Sequence, residues 1–210
     1  AIGRCNSALQ VLANATDAEV PQKSQRIAEM KFLRAQFYWR LLILFNDIVW
    51  VDDTMTPDDI KAATNFDVAP AEMWNKIYQD CVDAYNVLPA TQAEVGRPTK
   101  YAAAAAAAKI AFLSSTKLDQ TTWAFQGVDQ AKMGQVIEWV DKAMAGGYQL
   151  NADFGTNFYT EGNNSKETLW GIQYSQNDGT VYGRANFSNG LNWPVKVNGC
   201  DFFKPSVNLI

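Results

Sequence analysis

Three stretches pair an aromatic ring with hydrogen-bonding groups in loop-like sequence. Trp50 stands with Asp52 and Asp53, Tyr182 with Arg184 and Asn186, and Trp193 with Asn192 and Asn189. A ring offers a ligand a flat apolar face, while amides, carboxylates and a guanidinium fix its orientation. The structural alternative for each cluster is loop packing. Two acidic pairs, Asp52-Asp53 and Asp58-Asp59, have the residue types to hold a cation or to serve as a hydrolytic acid and base. Hydrolysis of a glycosidic bond needs two carboxyls about 5–10 Å apart across the sugar. Adjacency in sequence does not establish that geometry, and solvated turns account for both pairs better.

Other chemistry is excluded by composition. The chain has no histidine, which removes Ser-His-Asp and Cys-His nucleophilic sites and every imidazole metal site. Cys5, Cys81 and Cys200 are widely spaced, without a C-x-x-C pair, so they read as buried thiols. No EF-hand spacing, G-x-G-x-x-G or P-loop occurs, and no cofactor or metal is expected. The net charge is −4 with no basic cluster; this argues against nucleic acid and anionic lipid surfaces as partners. No apolar run approaches the roughly 20 residues that span a bilayer.

The elements that must position these groups are helical in the first two thirds of the 210 residues. Over 22–45, Ile27, Met30, Arg34, Phe37, Leu41 and Leu44 fall three and four apart, and Leu33, Tyr38, Leu42 and Phe45 widen the apolar surface. Arg34, a cation in an apolar stripe, requires a carboxylate or carbonyls within the stack. Residues 48–67 read as loop. Pro70 suits a first helical position, and Met73, Ile77, Cys81, Ala84 and Leu88 form the next stripe. Thr99 is an N-cap for a helix containing seven consecutive alanines, 102–108. A fourth helix over 128–145 turns Met133, Val136, Val140 and Met144 to one side and ends at Gly146-Gly147. Trp39, Trp74 and Trp139 lie within helices and read as core or helix contacts.

The fold class expected is mainly α, a tetratricopeptide-like helical stack with irregular loops and short strands packed on it. Residues 1–147 form the helical region. Residues 148–210, rich in Asn, Gly, Ser and Asp, form loops and short strands of the same domain, with a β-prone run at 168–174.

Four segments carry a resemblance to the SusD/RagB family, in that family's own order. They are AEMKFLRAQFYWRLLILFNDIVWV (28–51), MWNKIYQDCVDAYNVLP (73–89), GRPTKYAAAAAAAKIAFLS (96–114) and GGYQLNADFGTNFYTEGNNSKETLWGIQY (146–174). Two positions depart from the pattern: Asn46 stands where the family often has Gly, and Val49 where it often has Pro. The resemblance identifies Asn163-Asn164-Ser165-Lys166-Glu167 with a family motif, read as an Asn/Ser turn preceding a strand.

The resemblance implies a surface-exposed outer-membrane lipoprotein that captures an oligosaccharide or polysaccharide and delivers it, without bond cleavage, to a SusC-like TonB-dependent transporter. It implies a longer protein, with segments before Ala1 and after Ile210 and with a lipid anchor outside this chain. For such a protein the candidate glycan contacts are the loop residues Trp50, Asp52, Asp53, Tyr182, Arg184, Asn192 and Trp193, chosen as rings with polar neighbours off the helical stripes, with loop packing as the alternative for each cluster. Three competing readings remain: a RagB-like peptide-uptake protein, a tetratricopeptide scaffold that binds proteins, and an α-helical glycoside hydrolase.

Overall fold

In the computed structural model, residues 1–119 and 121–173 are described. Helix α1 is Ile2–Asn14, α2 Lys23–Phe45, α3 Pro57–Ala62, α4 Pro70–Val87, α5 Lys100–Ser115 and α6 Gln130–Met144. Residues Ala1–Gly171 form one compact unit. Within it α1 packs on α2, α2 on α4, α4 on α5 and α5 on α6. A stack built this way buries a continuous core between neighbours.

The buried face of α2 is Ala28, Phe32, Ala35, Trp39 and Leu42, with Tyr38 beside it. This differs from the stripe expected at Ile27, Met30, Phe37 and Leu41, which is half-buried, and Leu44 is exposed. The two alanines supply the reason. Small side chains let a neighbouring helix approach, so the face containing them turns inward while the bulkier stripe lies at the edge. Helix α4 turns Met73, Ile77, Cys81 and Ala84 fully inward, with Leu88 at its end, as its spacing predicts.

Thr99 caps α5 by accepting from the Ala102 amide. Ala102, Ala103, Ala104, Ala106, Ala107 and Ala108 are all buried, because α5 is covered by α4 on one side and α6 on another. Poly-alanine is what a helix needs when two neighbours must come close on different sides. Helix α6 seats on α5 and α4 through Trp139 and Ala143. The expected stripe of Met133, Val136, Val140 and Met144 is partly open instead, with Met144 67% exposed. Gly147 ends the helix at φ +75°, a conformation glycine takes without steric cost.

The strands lie elsewhere than expected. A short antiparallel hairpin, β1 (Thr116–Leu118) and β2 (Phe125–Val128), joins α5 to α6. Residues 168–173 carry no strand. Residues 148–167 form a loop with 3₁₀ turns at Phe154–Phe158 and Thr160–Gly162. Trp170 then packs edge-on against Phe32, centroids 5.0 Å apart. Its indole donates to the Gly96 carbonyl at 2.8 Å.

Candidate functional site

The segment leaving α2 is bound to the stack residue by residue. Tyr38 Oη donates to the Val51 carbonyl at 2.6 Å and accepts from the Val51 amide at 2.8 Å. Asn6 of α1 donates to the same carbonyl at 2.9 Å, and Gln10 donates to the Asp53 carbonyl at 3.2 Å. Each backbone group of Val51 is thus paired by a side chain, which fixes an extended segment without a partner strand.

Trp50 belongs to this fastening. Its ring stacks on Tyr38 with centroids 4.3 Å apart and planes 18° from parallel. Its indole donates to Asp52 at 2.9 Å, and the Lys76 ammonium lies 5.6 Å from the ring centre. Trp50 is only 7% exposed. Contact with a sugar face requires an exposed ring, and here Tyr38 and the stack cover it. Asp52 closes a local turn by accepting from the Thr54 amide and hydroxyl. Burial raises its pKa, but the bonds from Thr54 and Trp50 outweigh that and hold the carboxyl below the usual range. Asp58 and Asp59 sit in the first turn of α3, where Asp59 and Thr56 form a capping box. That is a structural use of one acidic pair.

Arg34 is the hub, and of the carboxylate or carbonyl partners that its place in an apolar stripe requires it takes two carboxylates and one side-chain amide oxygen. Its Nε and Nη2 donate to the two Asp80 oxygens at 2.7 and 2.9 Å. Nη1 donates to Asn6 Oδ1 at 3.1 Å and to Asp53 Oδ1. Burial alone would depress the guanidinium pKa, but the bonds and charges of Asp80 and Asp53 raise it. One cation therefore links α1, α2, α4 and the segment after α2. A second buried charge, Glu29, takes Arg26 and Arg97, each at 2.8 Å, and fastens the connector before α5.

The described residues also form an apolar groove of about 660 Å³ between α5, α6 and residues 148–169. Ala108, Phe112, Val140, Met144 and Leu150 line it, with Lys109 and Glu167 among its few charged groups. Glu167 already accepts from the Asn151 amide at 2.9 Å and Asn157 Nδ2 at 3.1 Å. The sequence signal for this groove is the open stripe of α6. Open aromatic faces occur nearby at Phe154, Phe158 and Tyr159, whose exposures exceed 60%; sequence reasoning missed these rings. Tyr182, Arg184, Asn192 and Trp193 lie outside the described residues.

Among the described residues, no group of three His, Cys, Asp or Glu side chains is placed to hold a metal ion. Cys5 and Cys81 are buried free thiols, their pKa values raised chiefly by burial. No helix among the described residues is long and apolar enough to cross a membrane.

A family model described as SusD-like, "Starch-binding associating with outer membrane", matches residues 1–112, from α1 through most of α5. The chain belongs to the SusD-like family. The family resemblance read from the sequence is thereby confirmed, the match taking in the segments at 28–51 and 73–89 and most of that at 96–114. Solved SusD-like structures share its fold. A SusD-like carbohydrate-binding protein of Bacteroides fragilis superposes with a TM-score of 0.72 at 24% identity, covering 99% of this chain and 37% of that one. A structure with xylogluco-oligosaccharide gives 0.73 at 19% identity, covering 93% and 37%. Surface glycan-binding protein A from Bacteroides thetaiotaomicron, in complex with laminarihexaose, gives 0.63 at 18% identity, covering 83% and 33%. The SusD-like chain thus spans about a third of the length of these relatives. A comparison with curated proteins finds no match.

Proposed function

We propose that this SusD-like chain is the helical part of a surface-exposed outer-membrane lipoprotein that captures oligosaccharides. It would deliver them to a SusC-like TonB-dependent transporter and cleave no bond. The observation that carries the reading is the family match over α1 to α5, together with the same fold in proteins solved with laminarihexaose and xylogluco-oligosaccharide. The geometry supports a scaffold role for residues 1–147. Its buried ion pairs and aromatic stacks hold helices and connectors rigid, and rigid scaffolds are where binding loops are carried.

The proposed sugar contacts are Tyr182, Arg184, Asn192 and Trp193, with Asp52 and Asp53 at the edge of the stack. Trp50 supports that edge from behind, since its ring is covered. Capture without cleavage is tested by titrating the full-length protein calorimetrically with laminarihexaose, a xylogluco-oligosaccharide and a malto-oligosaccharide, then assaying the same samples for new reducing ends. Saturable binding of one sugar with no new reducing ends supports capture. Release of reducing ends identifies a hydrolase. Failure to bind any sugar, with binding of peptides instead, transfers the reading to RagB-like peptide uptake.

A further inference from the structure

Residues 51–72 contain no buried side chain, although they cover 22 positions between two core helices. Helix α3, in their middle, buries nothing. Its order is local. Thr56 and Asp59 cap each other, Thr64 after the helix donates its amide and hydroxyl to the Asp67 carboxylate, and Lys61 pairs with Asp58. From Thr54 to Val68, the hydrogen bonds of the described residues run only within residues 52–67. The ties to the stack are concentrated at Val51 and Asp53, and Val68 rests against the core at the far end.

Arg34 joins two structures of different burial. The side chains of Arg34 and Asp80 are each 7% exposed, whereas that of Asp53 is 30% exposed. The Asp80 bonds hold α2 to α4 inside the core. The Asp53 bond holds a self-capped segment to its surface. We infer that residues 54–67, with α3, form a strap latched by Asp53 to Arg34, which swings away as a unit while the helical stack stays folded. Segments with few buried contacts and local hydrogen bonding open at far lower free energy than the core, and a charge-assisted bond at the segment's root is the main tie to break. An open strap also frees the Arg34 Nη1 donor that Asp53 occupies.

The latch is tested in the full-length protein by tryptic cleavage after Lys61, an exposed site within α3, because the protease must close around the segment, and a strap released from the stack gives it that room. Asp53→Ala is expected to speed that cut at least about tenfold, the scale of one lost charge-assisted bond. Its thermal midpoint should stay within about 2 °C of the parent, whereas Asp80→Asn should lower it several-fold more. An unchanged cutting rate overturns the latch. So does a thermal loss in Asp53→Ala equal to that of Asp80→Asn, which would make strap and stack one cooperative unit.

Discussion

Asp80→Asn should be among the most damaging isosteric changes available in the helical stack. Asp80 and Arg34 are both nearly sealed from water and share two bonds, at 2.7 and 2.9 Å. The substitution keeps the volume and one acceptor, but it leaves a buried guanidinium facing an amide. Removing one partner of a buried pair costs about 3–5 kcal/mol. Asp53 stays on Nη1 and Asn6 still accepts there, which places the loss near about 3 kcal/mol, the lower end of that range. For a chain of this length, that corresponds to a fall of about 6–12 °C in thermal midpoint. Arg34→Met should cost more, about 4 kcal/mol, because it strands a carboxylate inside the core. The double replacement Arg34→Met with Asp80→Leu should recover to within about 1–2 kcal/mol of the parent, since apolar residues of similar volume can replace a buried pair. Urea and thermal melts followed by far-ultraviolet circular dichroism complete the cycle. Single losses below about 1 kcal/mol that simply add in the double variant would refute the hub.

Three further outcomes follow from the same packing. Burial pushes the Tyr38 phenol up to about 12 from an ordinary 10.0. The folded state therefore holds this proton more tightly than the unfolded chain. Stability is complete below pH 10 and should fall by up to about 3 kcal/mol as pH rises toward 12; melts in Tyr38→Phe should lack that alkaline component while losing about 1–2 kcal/mol at neutral pH. Ala104, fully buried in α5, has no room for added methylenes, and Ala104→Leu should cost about 1–3 kcal/mol in chemical denaturation. Trp50→Ala removes a ring stacked on Tyr38 and should cost about 3–5 kcal/mol in the same assay. A loss under about 1 kcal/mol would show that the ring is free.

Much of the stack is legible in the sequence, because helix periodicity and burial are the same physics. The α4 stripe of Met73, Ile77, Cys81 and Ala84 is the buried face, and Thr99 caps where its position before an alanine run says it should. Arg34 announces a buried acceptor, a carboxylate or carbonyls, by standing in an apolar face, and the structure supplies Asp80. Other features are less visible. Helix α1 buries only Cys5, Leu9 and Leu12 as apolar anchors, with Asn6 among them and Ile2 half-buried at its start, so its stripe is thin. Helix α3 is six residues long and buries nothing; only the Thr56–Asp59 capping pair and Pro57 mark it. The hairpin strands are three and four residues long and mostly exposed, too short for alternation to register. On α2 and α6 the stripes mislead by one face, because Ala28, Ala35 and Ala143 count little in an apolar pattern yet decide which side a neighbour can approach. Trp50 shows the same limit in a loop. No periodicity governs such a segment, so the covering of its ring by Tyr38 emerges only from the tertiary structure.

The central claim, glycan capture, is tested most directly by native gel electrophoresis of the full-length protein through gels containing starch, laminarin, xyloglucan or no polysaccharide. The account predicts that one glycan class retards the protein and that Trp193→Ala weakens the retardation without lowering the thermal midpoint. Equal mobility in every gel would contradict it.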